Sequence, residues 1–250
     1  MAVQKGIIKL VGTIDGINFY MRKGVLVARK GGGGFSAKAI KHSPKMRRVR
    51  ENSTEFGHCS QIKRLLKQSF AVLLQHYNDP SLHARMMRLM QDIKVLDVVS
   101  ERGQRKVPKG LQTDLGKQLF FDFCFTERYR IDSLQNITVF VAPTDFSCSL
   151  LGFDVKSLSF PTGATHVKLS YLVVSYDFEQ LSFVTSESSL FLEPDFISDS
   201  PILFSPDLSL LDLNAVVCYF GVRFYQQVGT EKYILKSATA VGLQCVHIVL

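Results

Sequence analysis

Two glycines, each in the second place of a two-residue loop, constrain this chain more than any other feature. Asp15-Gly16 lies between Ile14 and Ile17, and Lys23-Gly24 between Arg22 and Val25. Such loops suit the left-handed backbone of a type I′ turn, whose twist matches the strands it joins. Two of them predict three short antiparallel strands, near residues 7–14, 17–22 and 25–30. Tight hairpins fix the register, so the two faces follow directly. One carries Ile8, Leu10, Gly12, Ile14, Ile17, Phe19, Met21, Leu26 and Ala28. The other carries Lys9, Val11, Thr13, Asn18, Tyr20, Arg22, Val25, Val27 and Arg29. The first face is apolar and the second is mixed and cationic. A three-stranded sheet of this size is marginal in water. Its apolar face needs a cover, either the rest of the chain or another subunit. Four glycines, residues 31–34, follow as a flexible tether. The stretch GGGGFSAK lacks the spacing and the Lys-Ser/Thr ending of a phosphate-binding loop.

Charge is divided unevenly. Residues 1–110 hold 22 lysines and arginines against 7 acids, and residues 111–250 hold 8 against 15. A basic half can meet nucleic acid or another polyanion. It can equally meet the acidic half of another subunit, which favours association and sets its direction. No run of 18 uncharged apolar residues is present, so no membrane span is expected. No signal-peptide pattern is evident, because the apolar stretch after Gly6 is short and Lys9 interrupts it. Five scattered cysteines without a CxxC pair read as buried free thiols of a reducing compartment. The expected location is the cytoplasm or an assembled particle.

From Ser43-Pro44, a helix start, residues Met46, Val49, Ser53, Phe56, Cys59, Ile62, Leu66, Phe70, Leu73 and Tyr77 recur at three- or four-residue steps. That spacing predicts one long amphipathic helix. Asn78-Asp79-Pro80 breaks it, and Asp79 caps a second helix with the stripe Leu82, Met86, Leu89, Ile93 and Leu96. Gly103 reads as its stop. So short a connection predicts an antiparallel helical hairpin. Lys41, Lys45, Arg47, Arg48 and Arg50 crowd the first helix start, with no acid until Glu51. Cations there oppose the helix dipole, which points to an acidic partner or phosphate; the alternative is a solvated charged face.

Residues 104–113, polar and broken by glycine and proline, read as a linker. Beyond it the period becomes strand-like in segments 117–125, 137–142, 167–178, 215–228, 232–236 and 243–250, rich in β-branched and aromatic residues. Segment 179–213, rich in Ser, Asp and Pro, reads as a surface connection. The pattern predicts an antiparallel β-sandwich-like domain. The expected class is therefore α+β: a β-meander with glycine tether (1–34), a basic helical hairpin (35–103), a linker (104–113) and a sandwich (114–250).

The stretches GTIDGINFYMRKGVLVARKGG (12–32) and RENSTEFG (50–57), with the helix through Phe70, resemble a family of uncharacterised proteins from Bacteroidetes bacteria. The layout of basic arm, helix and β domain also resembles structural proteins of phages or mobile elements. The resemblance carries no activity, so no residue inherits a catalytic role from it.

Chemistry-bearing motifs are sparse. No HxxxH, HExxH, CxxC or GxSxG spacing occurs. The acids of the β half cannot be paired by spacing. The sequence assigns no catalytic residue, cofactor or metal. The expected function is a non-enzymatic, self-associating structural protein, a homo-oligomer or subunit of a phage-like particle. Ile14, Ile17, Phe19, Met21 and Leu26 are its expected assembly interface. The basic cluster Lys41, Lys45, Arg47, Arg48 and Arg50 is its site for an acidic partner or phosphate. The alternative is a nucleic-acid-binding protein that uses this basic segment on phosphates.

Overall fold

A computed structural model describes residues 2–6, 8–31, 36–131, 138–197, 200–212 and 214–250. The chain divides into two compact units, residues 1–51 and 52–250. The fold class is α+β. Among the described residues no helix is long and apolar enough to cross a membrane.

The first unit opens with a four-stranded antiparallel sheet. Its strands are β1 (Ala2–Val3), β2 (Gly12–Ile14), β3 (Ile17–Arg22) and β4 (Val25–Lys30), in the order β1-β4-β3-β2. Both turns are left-handed at both central residues: φ is 46° at Asp15 and 74° at Gly16, then 50° at Lys23 and 77° at Gly24. That is the type I′ geometry the sequence demands. The first strand is shorter than the predicted 7–14. Gly12 sits at φ 123°, a conformation other residues rarely adopt, so the ladder starts there. Upstream, the Gln4 side chain accepts from the Leu10 N–H at 3.2 Å. β1 is a strand that hydrophobic patterning does not reveal, since it is two residues long.

A short helix α1 (Ala37–His42) follows, capped by Ser36, whose hydroxyl accepts from the Ala39 N–H. A 3-10 turn at Pro44–Met46 leads into α2 (Arg47–Ser69), close to the predicted start. α2 ends at Ser69, not Tyr77. The chain beyond it turns so that the carbonyls of Val72 and Leu73 accept from the Arg223 guanidinium at 3.0 and 2.7 Å. The guanidinium satisfies these two carbonyls in place of a continued helical ladder. α3 (Leu82–Val95) packs antiparallel to α2. The pairings Glu55–Lys94, Cys59–Met90 and Lys63–His83 run in opposite senses along the two helices.

Three sequence expectations are corrected in the second unit. The linker at 104–113 contains a helix, α4 (Val107–Leu111), with Val107 and Leu111 buried. Glycine makes this packing possible: a Cβ at Gly110 would lie 2.0 Å from the Ile93 carbonyl oxygen. The aromatic run 117–125 is no strand either, because α5 (Asp114–Phe121) occupies most of it. Thr113 caps α5 by accepting from the Gly116 N–H, and Gly116 and Phe120, four residues apart, form its buried face. The supposed surface connection 179–213 holds two strands described below. The longer one is serine-rich with little of it buried, and the shorter one has only three residues, so neither shows in the pattern.

Among the described residues, the strands of this unit form two sheets. The larger comprises β7 (His166–Asp177), β8 (Ser182–Leu192), β10 (Val216–Val228), β11 (Glu231–Ile234) and β12 (Val241–Val249), ordered β11-β10-β7-β8 with β12 also paired to β10. The smaller comprises β5 (Thr138–Val141), β6 (Cys148–Leu151) and β9 (Ile202–Phe204), in the order β5-β6-β9. All pairings are antiparallel. One face of the large sheet (Leu172, Val174, Tyr176, Val217, Tyr219, Leu243) packs on Ile62, Leu66, Phe70, Met86, Met90 and Phe120 of the helical side. Its other face (Leu169, Tyr171, Val173, Cys218, Phe220, Val222) packs on Cys148, Leu150, Ile202 and Phe204 of the small sheet. Helices, large sheet and small sheet are three layers with two cores. β7 and β10 are apolar on both faces for that reason.

Candidate functional site

The strand pairings decide which residues of the meander share a face. Ile14 opposes Ile17, which opposes Lys30; Gly12, Phe19 and Ala28 form the next row; Met21 opposes Leu26. Opposed residues project to the same side, so Ile14, Ile17, Phe19, Met21 and Leu26 share one face. Ile14 is 54% exposed, Ile17 42% and Met21 60%, while Phe19 and Leu26 are half-buried. On the other face Val27 is buried beside Tyr20, and the Arg29 guanidinium lies 5.8 Å from the Tyr20 ring centre. Val27 is thus the best covered of these side chains, although Val3 and Val25 on its face are exposed, and the apolar face leaves Ile14, Ile17 and Met21 open.

The basic cluster is arranged differently from its sequence reading. Arg47 Nε and Arg48 Nη1 donate to the two carboxylate oxygens of Glu51 at 2.8 and 2.9 Å. Arg50 donates to the carbonyls of Ile40 and Ser43 at 2.7 and 3.0 Å, tying α1 to the start of α2. The cations at the helix start thus have a local return, in Glu51 and in nearby backbone carbonyls. Lys41 and Lys45 are exposed.

A polar cleft of about 680 Å³ opens in the second unit between the middle of α2 and residues 100–109. Glu55 lies at its base, 1% exposed on the side chain, on the face the sequence assigns to core. It accepts from Lys94 at 2.8 Å, from Arg105 at 2.8 and 2.9 Å, and from the Gly103 N–H at 2.7 Å. The Arg105 bonds, helped by Lys94 and Gly103 against the cost of burial, hold its carboxyl down at about 2. Phe56, placed on the apolar stripe by its spacing, is instead 53% exposed. The rotation that buries Glu55 turns Phe56 outward. No apolar periodicity marks Glu55; the clue is an acid in step with Cys59 and Ile62.

On the cleft wall, His58 Nε2 accepts from the Val107 N–H at 3.2 Å, which leaves the proton on Nδ1. Burial and the Lys106 charge push this imidazole below its ordinary range, so it is neutral at pH 7. Arg105, Lys106 and Lys109 give the opposite wall a positive charge. Gly57 lines the same cleft, and no atom lies within 4 Å of where its Cβ would be. The chemistry suits hydrogen bonding to an anionic guest.

Other reactive side chains are withdrawn. Cys59, Cys148, Cys218 and Cys245 are buried and Cys124 is intermediate. Burial pushes the Cys148 thiol up to about 12 and the Cys218 thiol up to about 11. Among the described residues no group of three or more His, Cys, Asp or Glu is placed to hold a metal ion. His166 contacts Glu193 at 3.4 Å, and His247 Nε2 is buried with no hydrogen-bond partner among the described residues. No family model, curated protein or solved structure matches the chain.

Proposed function

We propose that this chain is a non-enzymatic structural subunit that associates with copies of itself, as a homo-oligomer or in a phage-like particle. The observation that carries the reading is the open apolar face of the meander, with Ile14, Ile17 and Met21 in solvent. Full burial of such a side chain is worth about 1.5–3 kcal/mol. Half-exposed as they are, the three offer about 1 kcal/mol each. Association costs more than their sum, about 4 kcal/mol or above, so these three side chains do not hold a pair together unaided. Charge supplies a second contribution. The first unit carries twelve lysines and arginines against Asp15 and Glu51, whereas the second carries eighteen against twenty acids.

The test is mass in solution. Sedimentation of the full chain in low salt is expected to show multiples of 28.1 kDa that fall apart as salt rises. Ile17→Lys with Met21→Lys is expected to leave monomer. Nuclease treatment is expected to leave the assembled mass unchanged; its collapse would favour nucleic-acid binding through Lys41 and Lys45. A clean monomer at high concentration and low salt would remove the proposal.

A further inference from the structure

The second unit has an open apolar sheet face of its own. In the small sheet, Phe140 opposes Ser149, which opposes Leu203, and Thr138 opposes Leu151. Leu150, Cys148, Ile202 and Phe204 alternate with these and fill the core. Phe140, Leu151 and Leu203 therefore project from the outer side, where they are 56%, 43% and 65% exposed. Residues 138–212, which contain all three strands, carry ten acids and only Lys156 and Lys168 as bases. Asp145, Asp154 and Asp207 stand on the loops that bound these strands, and all three are exposed. The meander presents the reverse: an open apolar face whose Ile14–Ile17 row continues to the exposed Lys30, in a unit with ten more bases than acids.

We infer that the meander of one copy packs its apolar face on the outer face of the small sheet of a second copy. The inference rests on the self-association proposed above and names its two surfaces. Sheets pack face to face through apolar side chains of this kind. Complementary rims orient the partners, because the meander meets like charge on another meander and opposite charge on the small sheet. The two surfaces differ, so the contact is heterologous: each copy offers one donor face and one acceptor face. Such contacts close into a ring or run on as an open filament.

A mixing experiment on the full chain tests this. Ile17→Lys with Met21→Lys spoils the donor face, and Leu203→Lys spoils the acceptor face. All three positions are at least two-fifths exposed, so both variants are expected to keep the wild-type melting curve; Phe140→Lys is the second acceptor variant if Leu203→Lys does not fold. Each variant alone is expected to sediment as monomer. Mixed in equal amounts, they retain one good donor and one good acceptor between them. They are expected to form a species of twice 28.1 kDa and nothing larger. If wild type assembles but folded acceptor variants assemble just as well, the inference fails while the self-association reading stands. Failure of the mixed variants to pair would likewise overturn it. If wild type itself stays monomeric, both fall.

Discussion

Replacing Glu55 with alanine removes the acid that Lys94 and Arg105 share. Lys94 is 9% exposed and the Glu55 carboxylate is more deeply buried still. Breaking a buried pair strands the remaining charge and costs about 3–5 kcal/mol. Linkage gives a second route to the magnitude. A carboxyl at about 2 in the folded chain against an ordinary 4.5 is worth about 3 kcal/mol near neutrality. The sign follows from the lowered value: this stability is present in full above about pH 4.5 and is lost as pH falls toward 2. Urea unfolding of Glu55→Ala at pH 7 is expected to show a loss of about 3 kcal/mol or more. About 2 kcal/mol of the wild-type advantage is expected to vanish by pH 3. Glu55→Leu combined with Lys94→Leu, which leaves no stranded lysine, is expected to recover much of the loss. A Glu55→Ala penalty below about 1 kcal/mol, or one that is the same at pH 7 and pH 3, would refute the reasoning.

Two glycines in helices are expected to respond in opposite directions to alanine. Gly57→Ala, with open space above it, gains about 1 kcal/mol from helix propensity, and a rise in the urea midpoint checks it. Gly110→Ala drives a methyl into the Ile93 carbonyl and costs about 1–3 kcal/mol, the usual cost of overpacking, read as a fall in the urea midpoint. Thiol titration of the native chain with an aromatic disulfide is expected to modify Cys124 first. Cys59, Cys148, Cys218 and Cys245 are expected to react only after unfolding, since burial both hides them and keeps them protonated.

Local chemistry made part of the fold legible. The Asp15-Gly16 and Lys23-Gly24 turns need nothing beyond their own backbone preferences, and both form with the expected register. The long strands β7 and β10 announce themselves through their density of β-branched and aromatic residues. Elements settled by distant partners stayed hidden. α5 carries strand-favouring aromatics, but its glycine packs on α4, where a Cβ at Gly116 would lie 2.0 Å from the Gly110 carbonyl. β8 has little to bury, because it ends the sheet beside β7 and faces solvent along most of its length. Of the candidate surfaces, the membership of the meander's apolar face was legible from turn positions. The role of Glu51 toward Arg47 and Arg48 follows from helical spacing. Glu55 was missed because its partners Lys94, Gly103 and Arg105 lie some forty to fifty residues further along.

β10 divides its side chains between two compartments. Val217 and Tyr219 fill one, Cys218 and Phe220 fill the other, and only the thickness of one backbone lies between them. Neither compartment can lose its lining without the other losing a wall. Heating is therefore expected to dissolve the helical layer and the small sheet of residues 52–250 together, and a cavity cut at Leu66 should loosen Leu150 on the far side.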